Sequence, residues 1–328
     1  MENLYIDRKG TELDVEGQHL LIRVPGERPR SLPLVQLRFI TVSASVQLSS
    51  RLLLALDSAG VTLVVINPRS SGNWLVCSGN RHGNSARRLR QYQWWNRENS
   101  CLQAARQLVA AKITGQYRSL LQHRRQRPNL RRPLSRALEQ LRQRRQAVLQ
   151  AQTLDALRGV EGAASAAYFG ALTQLVAPVW NFRKRLRRPP PDPVNALLSL
   201  SYTLAHGEAV QALVSCGLDP ALGFLHQFSY SRESLACDLM ELLRADIDRW
   251  VLALLRDGAL TPTQFHFPSA DQCLLGKEGR AVFYSAYRNE VIKWRKRCRK
   301  LASQWAARLE QETSCPEELK DDAQTTDH

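Results

Sequence analysis

The sequence predicts an α+β fold: a small strand-rich N-terminal domain over residues 1–83, a larger all-α domain over 84–310, and an acidic tail over 311–328. Three observations carry this. Short β-prone runs separated by Gly, Pro, Asp and Asn fill the first part. Runs rich in Ala, Leu, Gln and Arg, apolar at every third or fourth position, fill the second. A chain of 328 residues also exceeds the usual size of one compact domain, which favours two.

Taken in order, strands are expected over residues 4–6, 12–15, 20–24, 37–42 and 61–66, with turn chemistry at Arg8-Lys9-Gly10, Glu16-Gly17 and Pro25-Gly26. Residues 49–58 have helical spacing, and 73–77 can supply one further strand at an edge. Helices are expected over 86–96, 101–124, 134–148, 154–176, 194–216, 235–255 and 277–311. Two breaks interrupt them. One is Gln126-Arg127-Pro128-Asn129. The other, Arg187-Arg188-Pro189-Pro190-Pro191-Asp192-Pro193, is a stiff basic connector whose Asp192 and Pro193 can cap and start the next helix. The tail, with Glu317, Glu318, Asp321 and Asp322 and no aromatic residue, has the composition of a disordered segment.

Charge narrows the partners. There are 46 Lys and Arg against 30 Asp and Glu, a formal charge of +16, so polyanions should gather at the surface. Most of the basic residues are arginine, whose planar fork suits phosphate, and no strongly apolar helix face accompanies them; nucleic acid is therefore favoured over an anionic membrane. Residues 118–145 hold ten arginines and a single acid, Glu139, too unequal for a face neutralised by its own ion pairs. Tyr92, Trp94, Trp95 and Tyr117 lie nearby and could stack on unpaired bases. No apolar run approaches the roughly 20 residues of a membrane span, and no signal or transit peptide is evident, so a soluble cytoplasmic protein is expected. Seven scattered cysteines without a CxxC pair argue against a disulfide framework and for reduced thiols; a zinc site of Cys216, Cys237 and His206 lacks the usual paired spacing.

Candidate chemistry sits in two segments. Glu161 lies among small residues near the start of a helix, with Arg158 three positions earlier, and small neighbours allow a substrate to come close. On a later helix Asp238 and Glu241 are three apart, so both carboxylates can point the same way, and His226 precedes them closely. Crowded acids repel, and a divalent cation is the usual remedy. Oxygen donors with one imidazole suit Mg²⁺ or Mn²⁺. There is neither a GxSxG elbow nor a GxxxxGK[ST] loop.

The segments Leu4-Tyr5-Ile6, Val46-Gln47-Leu48-Ser49 after the strand from Leu37, Leu157-Arg158-Gly159-Val160-Glu161-Gly162, and Arg188-Pro189-Pro190-Pro191-Asp192-Pro193-Val194-Asn195 follow one another. Gly223-Phe224-Leu225-His226, then Ser234-Leu235 with Asp238-Leu239-Met240-Glu241, complete the series. In this order, over most of the chain, they resemble the CRISPR-associated integrases and endonucleases that insert new spacers, the first-numbered of the Cas proteins. The resemblance implies a helical catalytic C-terminal domain and a homodimer formed largely through the strand-rich domain. It places Glu161, His226 and Glu241 on the family's metal ligands, Asp238 on a supporting acid and Arg158 where it offsets phosphate charge. The implied cofactor is Mg²⁺ or Mn²⁺. The implied reaction is attack of the 3′-hydroxyl of new spacer DNA on the CRISPR repeat, with hydrolysis at the same centre giving endonuclease activity. The partners implied are spacer and repeat DNA and the small second-numbered Cas protein. Arg124, Arg125, Arg127, Arg131, Arg132, Arg187 and Arg188 are expected to bind DNA, together with Tyr168 and Asn195 near the site. An inactive architectural DNA-binding subunit and a stand-alone repair nuclease are the alternatives.

Overall fold

The structure is a computed structural model that describes residues 2–66, 74–77, 85–187, 189–226, 232–269 and 271–311. Arg188, the acidic tail beyond Gln311 and the start of the expected 73–77 strand lie outside the described residues. Strands β1 (Glu2–Ile6), β2 (Glu12–Glu16), β3 (His19–Arg23), β4 (Arg30–Pro33), β5 (Leu37–Val42) and β6 (Gln47–Leu48) precede helix α1 (Ser50–Ser58), and β7 (Thr62–Ile66) and β8 (Trp74–Cys77) follow it. They form two four-stranded sheets, ordered β4-β3-β2-β6 and β1-β5-β7-β8.

In the first sheet β2 and β3 alternate buried and open positions, so Leu13, Val15, Leu20 and Ile22 share one covered face. Their connection is tight: Glu16 pairs with His19, and Gly17 takes φ +59°, a region that costs a side-chain-bearing residue more than glycine. In the second sheet β5 runs parallel to both β1 and β7, is central, and is covered on both faces, which its buried Phe39, Ile40 and Val42 suit. Ser49 is the N-cap of α1, its hydroxyl accepting from Leu52 N at 3.1 Å.

The helices are α2 (Ser85–Trp95), α3 (Glu98–Gln126), α4 (Arg131–Gln150), α5 (Leu154–Leu175), α6 (Pro193–Ser215), α7 (Ser234–Glu241) and α8 (Arg244–Arg256). A hairpin of β9 (Phe265–Ser269) and β10 (Gln272–Leu275) precedes the last, α9 (Lys277–Gln311). Asp192 and Pro193 cap and start α6 as expected, with Asp192 Oδ1 accepting from Asn195 N at 2.9 Å. α6 is covered nearly all round and forms the centre against which α7, α8 and α9 pack. The expected helix over 235–255 is two helices. Leu242 N and Leu243 N bond the carbonyls of Leu239 and Met240, three residues back, at 3.1 and 2.9 Å, and this tightened turn separates α7 from α8. The β9–β10 hairpin departs from an all-α second part; Cys273 N donates to Pro190 O at 2.7 Å, which ties it to the proline connector.

Two apolar clusters result. One lies within the strand-rich part around Leu20, Ile40, Leu52 and Leu63. The other fills the helical part and includes Phe39 of β5 and Val64 of β7. The second sheet thus gives one face to each cluster. Its helix-facing side is further fixed by Gln211 Nε2 on Thr62 Oγ1 at 3.0 Å and by the Arg295 guanidinium 5.0 Å over the Phe39 ring. Glu208 of α6 and Arg295 of α9 form a buried two-pronged pair at 2.8 Å for both bonds. Among the described residues no helix is long and apolar enough to cross a membrane.

Candidate active site

Four helices and one turn converge on the site. α3 brings Lys112, α5 brings Glu161 and Ser165, α7 ends on Glu241, and Arg244 opens α8. The Lys112 side chain is only 6 % exposed, and its ammonium lies between the two acids, in an ion pair with Glu161 Oε1 and 2.5 Å from Glu241 Oε2. Ser165, one helical turn after Glu161, donates to the same Glu161 oxygen at 2.8 Å. Arg244 Nε bonds Glu241 Oε1 at 2.8 Å across the α7–α8 break. Burial alone would raise the Glu241 carboxyl; the charges of Arg244, Lys112 and His226 outweigh that and hold it well below the usual carboxylate range.

His226 stands on a turn, Gly223 to His226, that Asp238 holds from inside. The Asp238 carboxylate is wholly buried and accepts the backbone N–H groups of Phe224, Leu225 and His226 at 2.5, 3.0 and 3.1 Å. It also meets His226 Nδ1 at 2.6 Å, which favours the tautomer with a proton on Nδ1 and leaves the lone pair on Nε2. From the outer side Arg158 donates twice to Leu225 O, at 3.2 and 3.0 Å, and Trp95 Nε1 donates to Gly223 O at 2.9 Å. The glycine is obligatory: a Cβ there would meet His226 O and the Ser234 carbonyl at 2.7 Å, both rigid backbone.

These contacts revise four expectations. Asp238 and Glu241 do not share one open face: Asp238 is consumed by the turn, and it positions His226 instead of reaching substrate. Arg158, with its remaining Nη1 on Asp155 at 2.7 Å, likewise clamps the turn. Tyr168 is buried beside Asp248, where no base or phosphate reaches it. Asn195 is fully buried; its Oδ1 accepts Leu186 N at 2.9 Å and Arg185 Nη1 at 2.8 Å, while its Nδ2 donates to Lys184 O and Asp192 Oδ2 at 2.9 and 2.6 Å. It therefore shapes the 184–192 connector and does not itself bind DNA. Of the neighbouring aromatics, Trp94 packs edge-on against Phe224 with centroids 4.7 Å apart, and only Tyr92, 40 % exposed, offers much surface.

The site opens into a cleft of about 470 Å³. Small residues of α5, Gly162, Ala166 and Gly170 among them, line one wall beside Glu161. The shaped connector supplies Arg183, Lys184, Arg185 and Arg187 to the other. The floor holds Asp248, whose carboxyl burial pushes up to about 6 even though it accepts the Tyr202 hydroxyl. The ring of Tyr202 lies under the Arg244 guanidinium at 4.5 Å. Arg125, Arg127, Arg131 and Arg132 are exposed at the tip where α3 turns into α4, and Arg124 beside them donates to Ser135 Oγ at 3.2 Å.

Glu161, His226 and Glu241 do not form a closed set of ligands: among the described residues no three acid, imidazole or thiol groups lie close enough to hold an ion. The donor chemistry nevertheless fits a hard divalent cation. Two carboxylates already face a cation, Nε2 of His226 is the unused ring nitrogen, and buried Glu241 Oε2 has no well-directed hydrogen bond despite its nearness to Lys112. Lys112, Ser165 and Arg244 are site residues that the sequence reading missed.

The family model of CRISPR associated protein Cas1 matches residues 4–289. A CRISPR-associated endonuclease Cas1 from Thermodesulfovibrio yellowstonii is 36% identical over 293 residues, which cover 89% of this chain and 92% of that protein. The chain belongs to the Cas1 family. A solved casposase bound to integration product has the same fold as this Cas1 chain, with a TM-score of 0.81 at 21% identity, covering 100% of this chain and 96% of that one. A chain of a solved Cas6-RT-Cas1–Cas2 complex also scores 0.81 at 23% identity, over 94% of this chain and 35% of that one.

Proposed function

We propose that this Cas1 chain is a divalent-metal-dependent DNA nuclease and strand-joining enzyme of CRISPR spacer acquisition. The observation that carries the reading is the pair of acids, Glu161 and Glu241, facing one cation beside a histidine whose free nitrogen is selected by a buried carboxylate. The relatives named as Cas1 endonucleases and the neighbour bound to integration product support it.

Glu161, Glu241 and Nε2 of His226 would hold Mg²⁺ or Mn²⁺. When bound, the ion supplies charge that polarises a phosphodiester and activates an attacking hydroxyl. The protein's own groups do the rest. Lys112 and Arg244 offset negative charge at the acids and at an incoming phosphate, and the connector's Arg183, Lys184, Arg185 and Arg187 draw the backbone into the cleft. No side chain acts as a nucleophile: the attacking group is a DNA 3′-hydroxyl for joining or water for cutting. The arginine tip of α3–α4 lies about 13 helical steps beyond Lys112, which is about 20 Å along α3, or about six base-pair steps of a duplex lying alongside. Such a duplex would gain positioning contacts well outside the cleft. A second copy of this chain and the small Cas2 protein are the proposed protein partners, the latter by analogy with the Cas1–Cas2 neighbour.

Glu161→Ala and His226→Ala should abolish joining of a DNA 3′ end to a repeat-containing plasmid in Mg²⁺ or Mn²⁺ while leaving DNA affinity within about twofold, because affinity comes chiefly from phosphate contacts elsewhere. Full joining by either variant would rule the reading out. The acids already neutralised by Lys112 would also suit an inactive architectural subunit, and that alternative requires that neither metal bind or stimulate the wild type. A five-fold variant, with Ala at Arg124, Arg125, Arg127, Arg131 and Arg132, should flatten the slope of log affinity against log salt by about four, measured by anisotropy between about 50 and 200 mM salt. An unchanged slope would remove the tip from the DNA interface.

A further inference from the structure

Beside the site, and unused by it, is a second constellation of chemically active side chains. Cys237 lies on α7 next to Asp238, partly exposed and not in a disulfide. His206 of α6 hydrogen-bonds its sulfur, and the same imidazole faces Glu233, with Nε2 3.6 Å from Oε2. Arg232 also reaches the sulfur. Nucleophile, adjacent base and a carboxylate 3.6 Å from that base form the arrangement that activates a thiol. Burial raises the Cys237 thiol, but His206 and then Arg232 outweigh it and hold it below the ordinary value. The other thiols within the helical core run the opposite way: burial pushes Cys101 up to about 11 and Cys273 up to about 12.

We propose that Cys237 is a thiol–disulfide exchange site for low-molecular-weight disulfides, activated by His206 and Glu233, and that its modification loosens the Asp238-held turn that carries His226. The proton of the thiol passes to His206. The Cys237 sulfur then attacks one sulfur of the reagent disulfide, so a Cys237–S–S bond forms and the reagent's S–S bond breaks. The departing thiolate leaves with the electron pair and takes up a proton from solvent. Cys237 is oxidised and the released thiol is the reduced product. An added group at this sulfur must find room between α6 and the first turns of α7, where Ser234, Leu235 and Ala236 are all buried. Displacing that turn shifts the neighbouring Asp238, on which three backbone N–H groups and His226 depend.

The proposal does not depend on the integrase reading, and its tests need no activity. The reduced full-length protein is treated with oxidised glutathione at neutral pH, and the rate at each cysteine is read by peptide mass spectrometry. Cys237 should react about tenfold faster than exposed Cys77, and His206→Asn should bring it down to about the rate of Cys77 while leaving Cys77 unchanged. Glu233→Gln, at a half-exposed position, should give a smaller slowing in a fold that is not at risk. Equal rates at Cys237 and Cys77 in the wild type, or no slowing in both variants, would overturn the assignment. Hydrogen exchange reads the second part: amides of Phe224, Leu225 and His226 should exchange faster in the glutathionylated protein and recover on reduction. The same treatment of Cys237→Ser should leave them unchanged. Unaltered protection of these amides in the modified wild type would overturn the coupling.

Discussion

Lys112→Met should lower the stability of the metal-free protein by about 3 kcal/mol, the lower end of what breaking a buried ion pair costs, since Glu161 is 23 % exposed and can recover some hydration. Methionine keeps the length of the side chain while removing the cation from between two carboxylates. Glu241 retains Arg244, so the uncompensated charge falls mainly on Glu161. The distinguishing outcome is the response to metal. A divalent ion that enters the place left by the ammonium restores about 2.7 kcal/mol at a hundred times its dissociation constant. Thermal unfolding with and without Mn²⁺ should therefore show a larger stabilisation of Lys112→Met than of the wild type, in which ammonium and ion compete. A variant that melts at the same temperature at every Mn²⁺ concentration would remove the metal from this site.

Asp238→Asn should lower metal affinity by about ten- to a hundredfold, the usual cost of losing the partner that orients a ligating histidine. The Asp238 carboxylate accepts four hydrogen bonds, from the N–H groups of residues 224, 225 and 226 and from His226 Nδ1. Asparagine offers one oxygen and turns an NH₂ group towards donors, so at least one buried N–H loses its acceptor, at about 1–3 kcal/mol. The turn then fails to aim Nε2. Because the fault lies in orientation, high Mn²⁺ should recover much of the joining rate in Asp238→Asn and none in His226→Ala. Calorimetric titration and the metal concentration for half-maximal rate would show it. Equal recovery of both variants, or unchanged affinity in Asp238→Asn, would refute the positioning role.

What was legible in the sequence follows from how local its physical cause is. The β2–β3 hairpin and the Asp192-Pro193 start of α6 were readable because turn glycine and N1 proline act on their own neighbours. β4 was missed because Arg30 to Pro33 is polar and ends in a residue that cannot donate to a ladder. The β9–β10 hairpin was hidden by Pro268 within it. Nothing local marks the α7–α8 break, where Leu242 and Leu243 continue an apolar helix pattern; tertiary packing decides it. Lys112 was legible and overlooked. It follows Leu108 by one helical turn on the buried face of α3, and a charge at such a position calls for an anionic partner. The motifs located Arg158, Tyr168, Asn195 and Asp238 near the site, but a motif cannot tell a group that faces substrate from one that holds the group that does.

The second sheet, whose Phe39 and Val64 belong to the helical core while Ile40 and Leu63 belong to the other, makes the two parts of the chain share a wall. Removing the strand-rich part would strip the roof from α6 and α9, exposing the Arg295–Glu208 pair and the apolar surface beneath it. A fragment beginning near residue 84 is thus a protein with an open core, not a smaller enzyme. Force or distortion applied to the strands arrives, through that common wall, at the helix that carries Asn195 and the connector.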